Sequence, residues 1–127
     1  MKKKAEGVLR EWMKYVNKSD LAVLELYDKD AVLIPTFSNR LLVTPAGIRD
    51  YFERLCAREN LSLSLHEKTL RLLPIRDEVI SASGIYAWKF DVDGEPLTFE
   101  ARFSYTMDLA RESPILVHHS SQIPRML

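Results

Sequence analysis

The side chains best suited to chemistry sit in the second half of the chain. Between Thr98 and Met107 polar and apolar residues alternate strictly, so Thr98, Glu100, Arg102, Ser104 and Thr106 share one strand face and Phe99, Ala101, Phe103, Tyr105 and Met107 share the other. On that pattern alone the polar face is wet, and Arg102 pairs with Glu100 or with a cross-strand partner. A guanidinium held away from water would instead grip a ligand carboxylate with two parallel N–H donors. Tyr86, Trp88 and Phe90 alternate in the same way, opposite Ile85, Ala87 and Lys89. Such a row is core, a subunit interface, or the wall of an apolar pocket with Tyr86 as its polar handle.

His118 and His119 are adjacent, and adjacent strand residues point to opposite faces. The two imidazoles therefore cannot chelate one ion in regular geometry. With only His66 elsewhere and a single cysteine, no metal site and no cofactor is expected. One imidazole of the pair faces inward, where a neutral ring orients a ligand or moves a proton; the strand phase does not say which. Cys56 falls on the apolar stripe of a helix and reads as a small buried hydrophobe rather than a nucleophile.

The elements that must position these groups follow from periodicity. Val8, Leu9, Trp12, Met13 and Val16 form a helical stripe, and Ser19 or Asp20 caps a short second helix holding Leu21, Leu24 and Tyr27. Asp28-Lys29-Asp30 breaks it, and Ala31 to Ile34 reads as a short strand stopped by Pro35. Thr44-Pro45 opens a third helix with Ile48, Tyr51, Phe52, Leu55 and Cys56 on one side. After residue 60 the period changes to two. Leu61, Leu63 and Leu65 begin a strand whose alternation slips near Glu67, where a bulge is expected. A second long strand runs from Val79 to about Val92, Asp93-Gly94 turns it into a third reaching Met107, and a fourth spans Ile115 to Ser121. Helices gathered on one side of such a sheet make an α+β layer structure. With no repeat or linker in view, residues 1–127 read as one domain.

That order resembles the nuclear transport factor 2-like cone, a cystatin-like fold in which three N-terminal helices pack on a strongly curved mixed or antiparallel sheet. SnoaL-like cyclases and ketosteroid isomerases share it. Tyr51-Phe52-Glu53-Arg54-Leu55, Phe99-Glu100-Ala101-Arg102-Phe103 and the ending Val117-His118-His119-Ser120-Ser121-Gln122-Ile123-Pro124 are similar to one branch, the association domain of calcium/calmodulin-dependent protein kinase II and its free-standing bacterial relatives. The resemblance implies self-association through the sheet, as a homodimer or a larger ring, and a pocket between helices and sheet. It places Arg102 inside that pocket, supported by Glu100, Tyr86, Trp88 and a histidine, with a small carboxylate or an apolar molecule as ligand. Trp88 and Ser120 stand where the kinase domain carries further arginines. Ketosteroid isomerases put an oxyanion-binding tyrosine on the first helix, which suggests Tyr15, but also need a carboxylate before the strand-ending proline. Here that residue is Ile34. The reading is a self-associating small-molecule-binding domain with no established catalysis. A small isomerase, cyclase or hydratase acting on an apolar carbonyl compound is the alternative.

Composition narrows the partners. Hydrophobic residues at 46% and charged residues at 28% are those of an ordinary globular chain. Eighteen Lys and Arg balance eighteen Asp and Glu, so no net field draws in nucleic acid or an anionic membrane. Lys2-Lys3-Lys4 is followed by Glu6, Arg10, Glu11 and Lys14 rather than by the apolar run of a signal peptide. With one cysteine and no apolar stretch long enough for a membrane span, a reducing, cytoplasmic setting is expected.

Overall fold

The computed structural model describes residues 1–124. Helix α1 (Lys2–Asn17) buries Ala5, Leu9, Trp12 and Val16, steps of four, three and four that keep one stripe against the sheet. Asp20 caps the six-residue 3₁₀ turn Leu21–Leu26 by accepting the Ala22 N–H. The turn stops one residue sooner than the sequence suggests. Tyr27 opens strand β1 (Tyr27–Ile34) and is buried there. The register breaks between Tyr27 and Val32, because the Asp28 carboxylate takes the Asp30 N–H and turns the chain locally.

Helix α2 (Pro45–Cys56) starts as its sequence indicates. The Thr44 hydroxyl accepts the Gly47 N–H, proline occupies the first turn, and Ile48, Phe52 and Leu55 are buried. The strand expected after residue 60 is instead two, β2 (Ser62–Leu65) and β3 (Arg71–Arg76), separated by a 3₁₀ turn at Glu67–Thr69. The break is larger than a bulge because Thr69 replaces ladder contacts with its side chain. Its hydroxyl donates to the His66 carbonyl and accepts the Ile85 N–H. Gly84 permits this close approach: a Cβ there would lie 3.1 Å from Thr69 Oγ1 and 3.0 Å from Phe103 Cζ.

The long hairpin of β4 (Val79–Val92) and β5 (Glu95–Asp108) turns at Asp93 and Gly94, both at positive φ, which suits the twist of the strands. With β6 (Ile115–Gln122) they build a six-stranded sheet ordered β1-β6-β5-β4-β2, with β3 also paired to β4. β1 runs parallel to β6 and every other pairing is antiparallel, so the sheet is mixed. The buried inner face carries Tyr86, Trp88 and Phe90 from β4, Ala101, Phe103, Tyr105 and Met107 from β5, and His118 and Ser120 from β6. Trp12, Val23, Ile48 and Phe52 close over it from the helical side. No helix among the described residues is long and apolar enough to cross a membrane.

Candidate functional site inside the cone

The inner face is almost wholly aromatic, and its few polar atoms are wired together. Trp12 Nε1 donates to the Tyr27 hydroxyl at 3.0 Å. Tyr27 lies 2.8 Å from His118 Nδ1, and His118 Nε2 lies 3.2 Å from the Tyr86 hydroxyl. The tautomer that uses the Tyr27 hydrogen has Tyr27, which accepts from the indole, donating to Nδ1, and Nε2–H donating to Tyr86. The imidazole also stacks on Tyr105, with centroids 3.9 Å apart at 14°. Burial, and then the nearby charge of His119, pushes the His118 pKa down to about 3. The ring is neutral across the physiological range. Burial likewise raises the pKa of Tyr27, Tyr86 and Tyr105, so all three stay protonated.

Beside this network lies a narrow cleft whose walls include Trp12, Thr36, Tyr51, Trp88, His118 and Ser120. It has about 10 Å³ of free space, roughly one water molecule. Thr36 and Ser120 share a short hydroxyl–hydroxyl hydrogen bond across it. Thr36, Ser120 and Trp88 stand close around the Tyr86 hydroxyl, Trp88 without completing a hydrogen bond. Among the described residues two buried side-chain groups have no partner, Trp88 Nε1 and the Tyr105 hydroxyl. No carboxylate and no cation is among the lining residues.

Next to the cleft lies Phe37, in the segment between Pro35 and Pro45 and in contact with the lining residue Trp88. Its ring makes edge contacts with Trp88, Phe90 and Phe99, at centroid distances of 5.6, 5.2 and 5.3 Å. The Phe37 N–H reaches the Tyr51 hydroxyl only at 3.4 Å. Grooves of about 440 and 530 Å³ open on the surface, and Phe37 lines both.

Of the residues singled out from sequence, Tyr86, Trp88 and His118 meet at this site, with Ser120 beside them. Arg102 and Glu100 do not. The inward positions of β5 belong to Ala101, Phe103 and Tyr105, so strict alternation turns Arg102 and Glu100 out to solvent. Glu100 takes His66 Nε2 at 2.7 Å, and Arg102 makes no ion pair among the described residues. The placement inside the pocket is thus corrected for both, and the wet-face reading of that strand holds. His119 is likewise exposed, bonded to Ser121 Oγ at 2.7 Å. Tyr15 sits at the rim of the α1 stripe and donates its hydroxyl to Glu11 at 2.7 Å, away from the cleft. Cys56 is half-buried, and burial raises its pKa, which disfavours the thiolate. Sequence reasoning missed Tyr27, Thr36, Phe37 and Tyr51 as site residues. Phe37 left the clearest signal, the one aromatic in the segment between two prolines.

No protein-family model matches the sequence, and neither does any curated protein. Solved structures do match. A protein from Xanthomonas campestris assigned as a calcium/calmodulin dependent protein kinase II association domain superimposes with a TM-score of 0.85 at 23% identity, over 97% of this chain and 88% of its own. SalBIII, an epoxide hydrolase/cyclase-like enzyme of pyran ring formation in salinomycin, gives 0.74 at 16% identity, over 95% and 92%. An NTF2-like protein with a cystatin-like fold from Novosphingobium aromaticivorans gives 0.79 at 10% identity, over 98% and 82%. The chain has the nuclear transport factor 2-like, cystatin-like fold that these proteins share.

Proposed function

We propose that this is a self-associating domain that binds a small molecule inside its cone and a second copy of itself on the outer face of its sheet. The observation that carries the reading is the segregation of charge on β4 to β6. The inner face presents only uncharged groups around the cleft, whereas Glu100, Arg102 and His119 all point outward. On that outer face they stand among short side chains. Ile85, Arg102 and Ser121 lie in one cross-strand row, and Ser83, Ser104 and His119 in the next. Val117 is more than a third exposed there and Ile123 nearly half. A face of small hydroxyls and single apolar side chains lets another sheet approach closely. In a two-fold pairing the same patch meets itself, so Arg102 of each copy can take Glu100 of the other. The likeness to a kinase association domain supports the same reading.

Native mass spectrometry with sedimentation equilibrium tests it. The wild-type chain is expected as a homodimer or a larger ring, and Arg102→Glu as a monomer at the same concentration. A monomeric wild type, or a variant that assembles equally well, refutes the interface.

The alternative, an isomerase, cyclase or hydratase acting on an apolar carbonyl compound, draws on the likeness to SalBIII and on Tyr86 as a hydroxyl able to polarise a carbonyl. It lacks a base. His118, with a pKa of about 3, is too weak to take a carbon-bound proton near neutrality, and Ile34 occupies the position before Pro35.

A further inference from the structure

We infer that the cleft selects an uncharged, flat apolar molecule bearing one acceptor oxygen, with Trp88 as the residue that reads that oxygen and Phe37 as the stopper that admits it. The inference rests on the pocket half of the proposed function and is independent of the interface half.

The argument begins with the hydrogens that have nowhere to go. An indole N–H donates and cannot accept. Trp88 is only 2% exposed, and its Nε1 has no partner. Native proteins rarely leave a buried donor empty unless something else fills it. In that tautomer the Tyr86 hydroxyl accepts from His118 Nε2, and its own hydrogen is left to donate. Thr36 and Ser120 share one hydrogen between them and keep a second. Tyr86, Thr36 and Ser120 carry lone pairs as well as hydrogens, whereas the Trp88 N–H can only donate and needs an acceptor. A ketone or aldehyde oxygen brings it that acceptor. A carboxylate would bring an unpaired charge to walls that hold no cation, and its desolvation would go uncompensated.

The stopper follows from how little holds it. Phe37 is half-buried, attached by three edge-on ring contacts and one long hydrogen bond. The firm backbone attachment of its loop lies further along, where Leu33 and Leu42 exchange two bonds of 2.9 Å. If the ring swings out, Trp88 loses its cover and the two flanking grooves join the cleft. The space then fits an aromatic ring whose oxygen reaches the Trp88 N–H.

The test uses two probes that differ in their head group, acetophenone and benzoate. Binding is followed by fluorescence of the buried tryptophans and by calorimetry, with far-ultraviolet circular dichroism confirming the fold. The proteins are wild type, Phe37→Ala, the milder Phe37→Leu, and each combined with Trp88→Phe. Removing the stopper is expected to tighten acetophenone at least tenfold. Adding Trp88→Phe should cost about fivefold, the loss of one neutral hydrogen bond. Benzoate should bind at least tenfold more weakly than acetophenone throughout. A preference for benzoate, or an acetophenone affinity indifferent to Trp88→Phe, overturns the ligand class while leaving the pocket standing. Binding of neither probe to either stopper-free variant overturns the pocket itself, and native mass spectrometry of the same samples reports separately on assembly.

Discussion

Lowering the pH should destabilise this protein in part through one buried residue, His118. In the folded chain the imidazole is buried and its pKa is about 3. In the unfolded chain it returns to about 6.5. The folded pKa of this base is depressed, so below pH 6.5 the unfolded state takes up a proton that the folded state refuses. Stability is fully present above pH 6.5 and falls as the pH drops, at about 1.4 kcal/mol per unit, until folded His118 protonates near pH 3. Between pH 7 and 5 the loss is about 2 kcal/mol, and at pH 3 it reaches about 4 kcal/mol. Other ionisable groups also respond to acid, so a difference between proteins is required. His118→Gln keeps an acceptor for Tyr27 and a donor for Tyr86 but cannot titrate. Urea unfolding of both proteins at pH 7 and pH 5, at one fixed protein concentration, gives the comparison. The wild type should lose about 2 kcal/mol more than the variant between those pH values. Parallel losses would refute the reasoning, because they would mean that His118 is solvated or already shares a proton in the folded state.

Two tyrosines on the same face should respond oppositely to loss of a hydroxyl. Tyr105→Phe removes a buried oxygen without a partner and should be neutral or stabilising by up to about 1 kcal/mol, whereas Tyr27→Phe strands both Trp12 Nε1 and His118 Nδ1 and should cost about 1–3 kcal/mol, read by thermal or urea unfolding. Gly84→Ala should cost about 1–3 kcal/mol, because its Cβ would press on Phe103 at 3.0 Å and on Thr69 at 3.1 Å. Combining it with Phe103→Leu should recover part of that loss in a double-mutant cycle, and strict additivity of the two would count against the steric explanation.

The sequence revealed elements whose period is unambiguous and lost those decided by side-chain hydrogen bonds. The α2 start needed only Thr44 and Pro45, and the β4–β5 turn only Asp93 and Gly94. The break between β2 and β3 was misread because Thr69 satisfies two backbone groups with one hydroxyl, a choice no periodicity announces. Tyr27 was assigned to the wrong element, since an aromatic suits a helix stripe and a strand start equally. At the site, alternation alone puts Arg102 on the wet face, against the placement the resemblance implies. Inside or outside is decided by which of two interleaved rows is aromatic, and Phe103 with Tyr105 decides it. The pairing of His118 with residue 27 depends on the parallel contact between β1 and β6, which local sequence does not encode.

That parallel contact also dictates the order in which the chain can assemble. The β4–β5 ladder closes from its own turn and needs no distant partner, so it can zip early. The Tyr27–His118 bond spans 91 residues, and the Lys4 bond to the Leu109 carbonyl spans 105, so both wait on a large loss of chain freedom. On a ribosome α1 and β1 emerge long before the strand that completes them. Until then the aromatic face of the hairpin stands bare, with neither Trp12 over it nor the imidazole between its tyrosines, and it is most open to sticking to another chain. The proposed pocket is the last part of the molecule to exist.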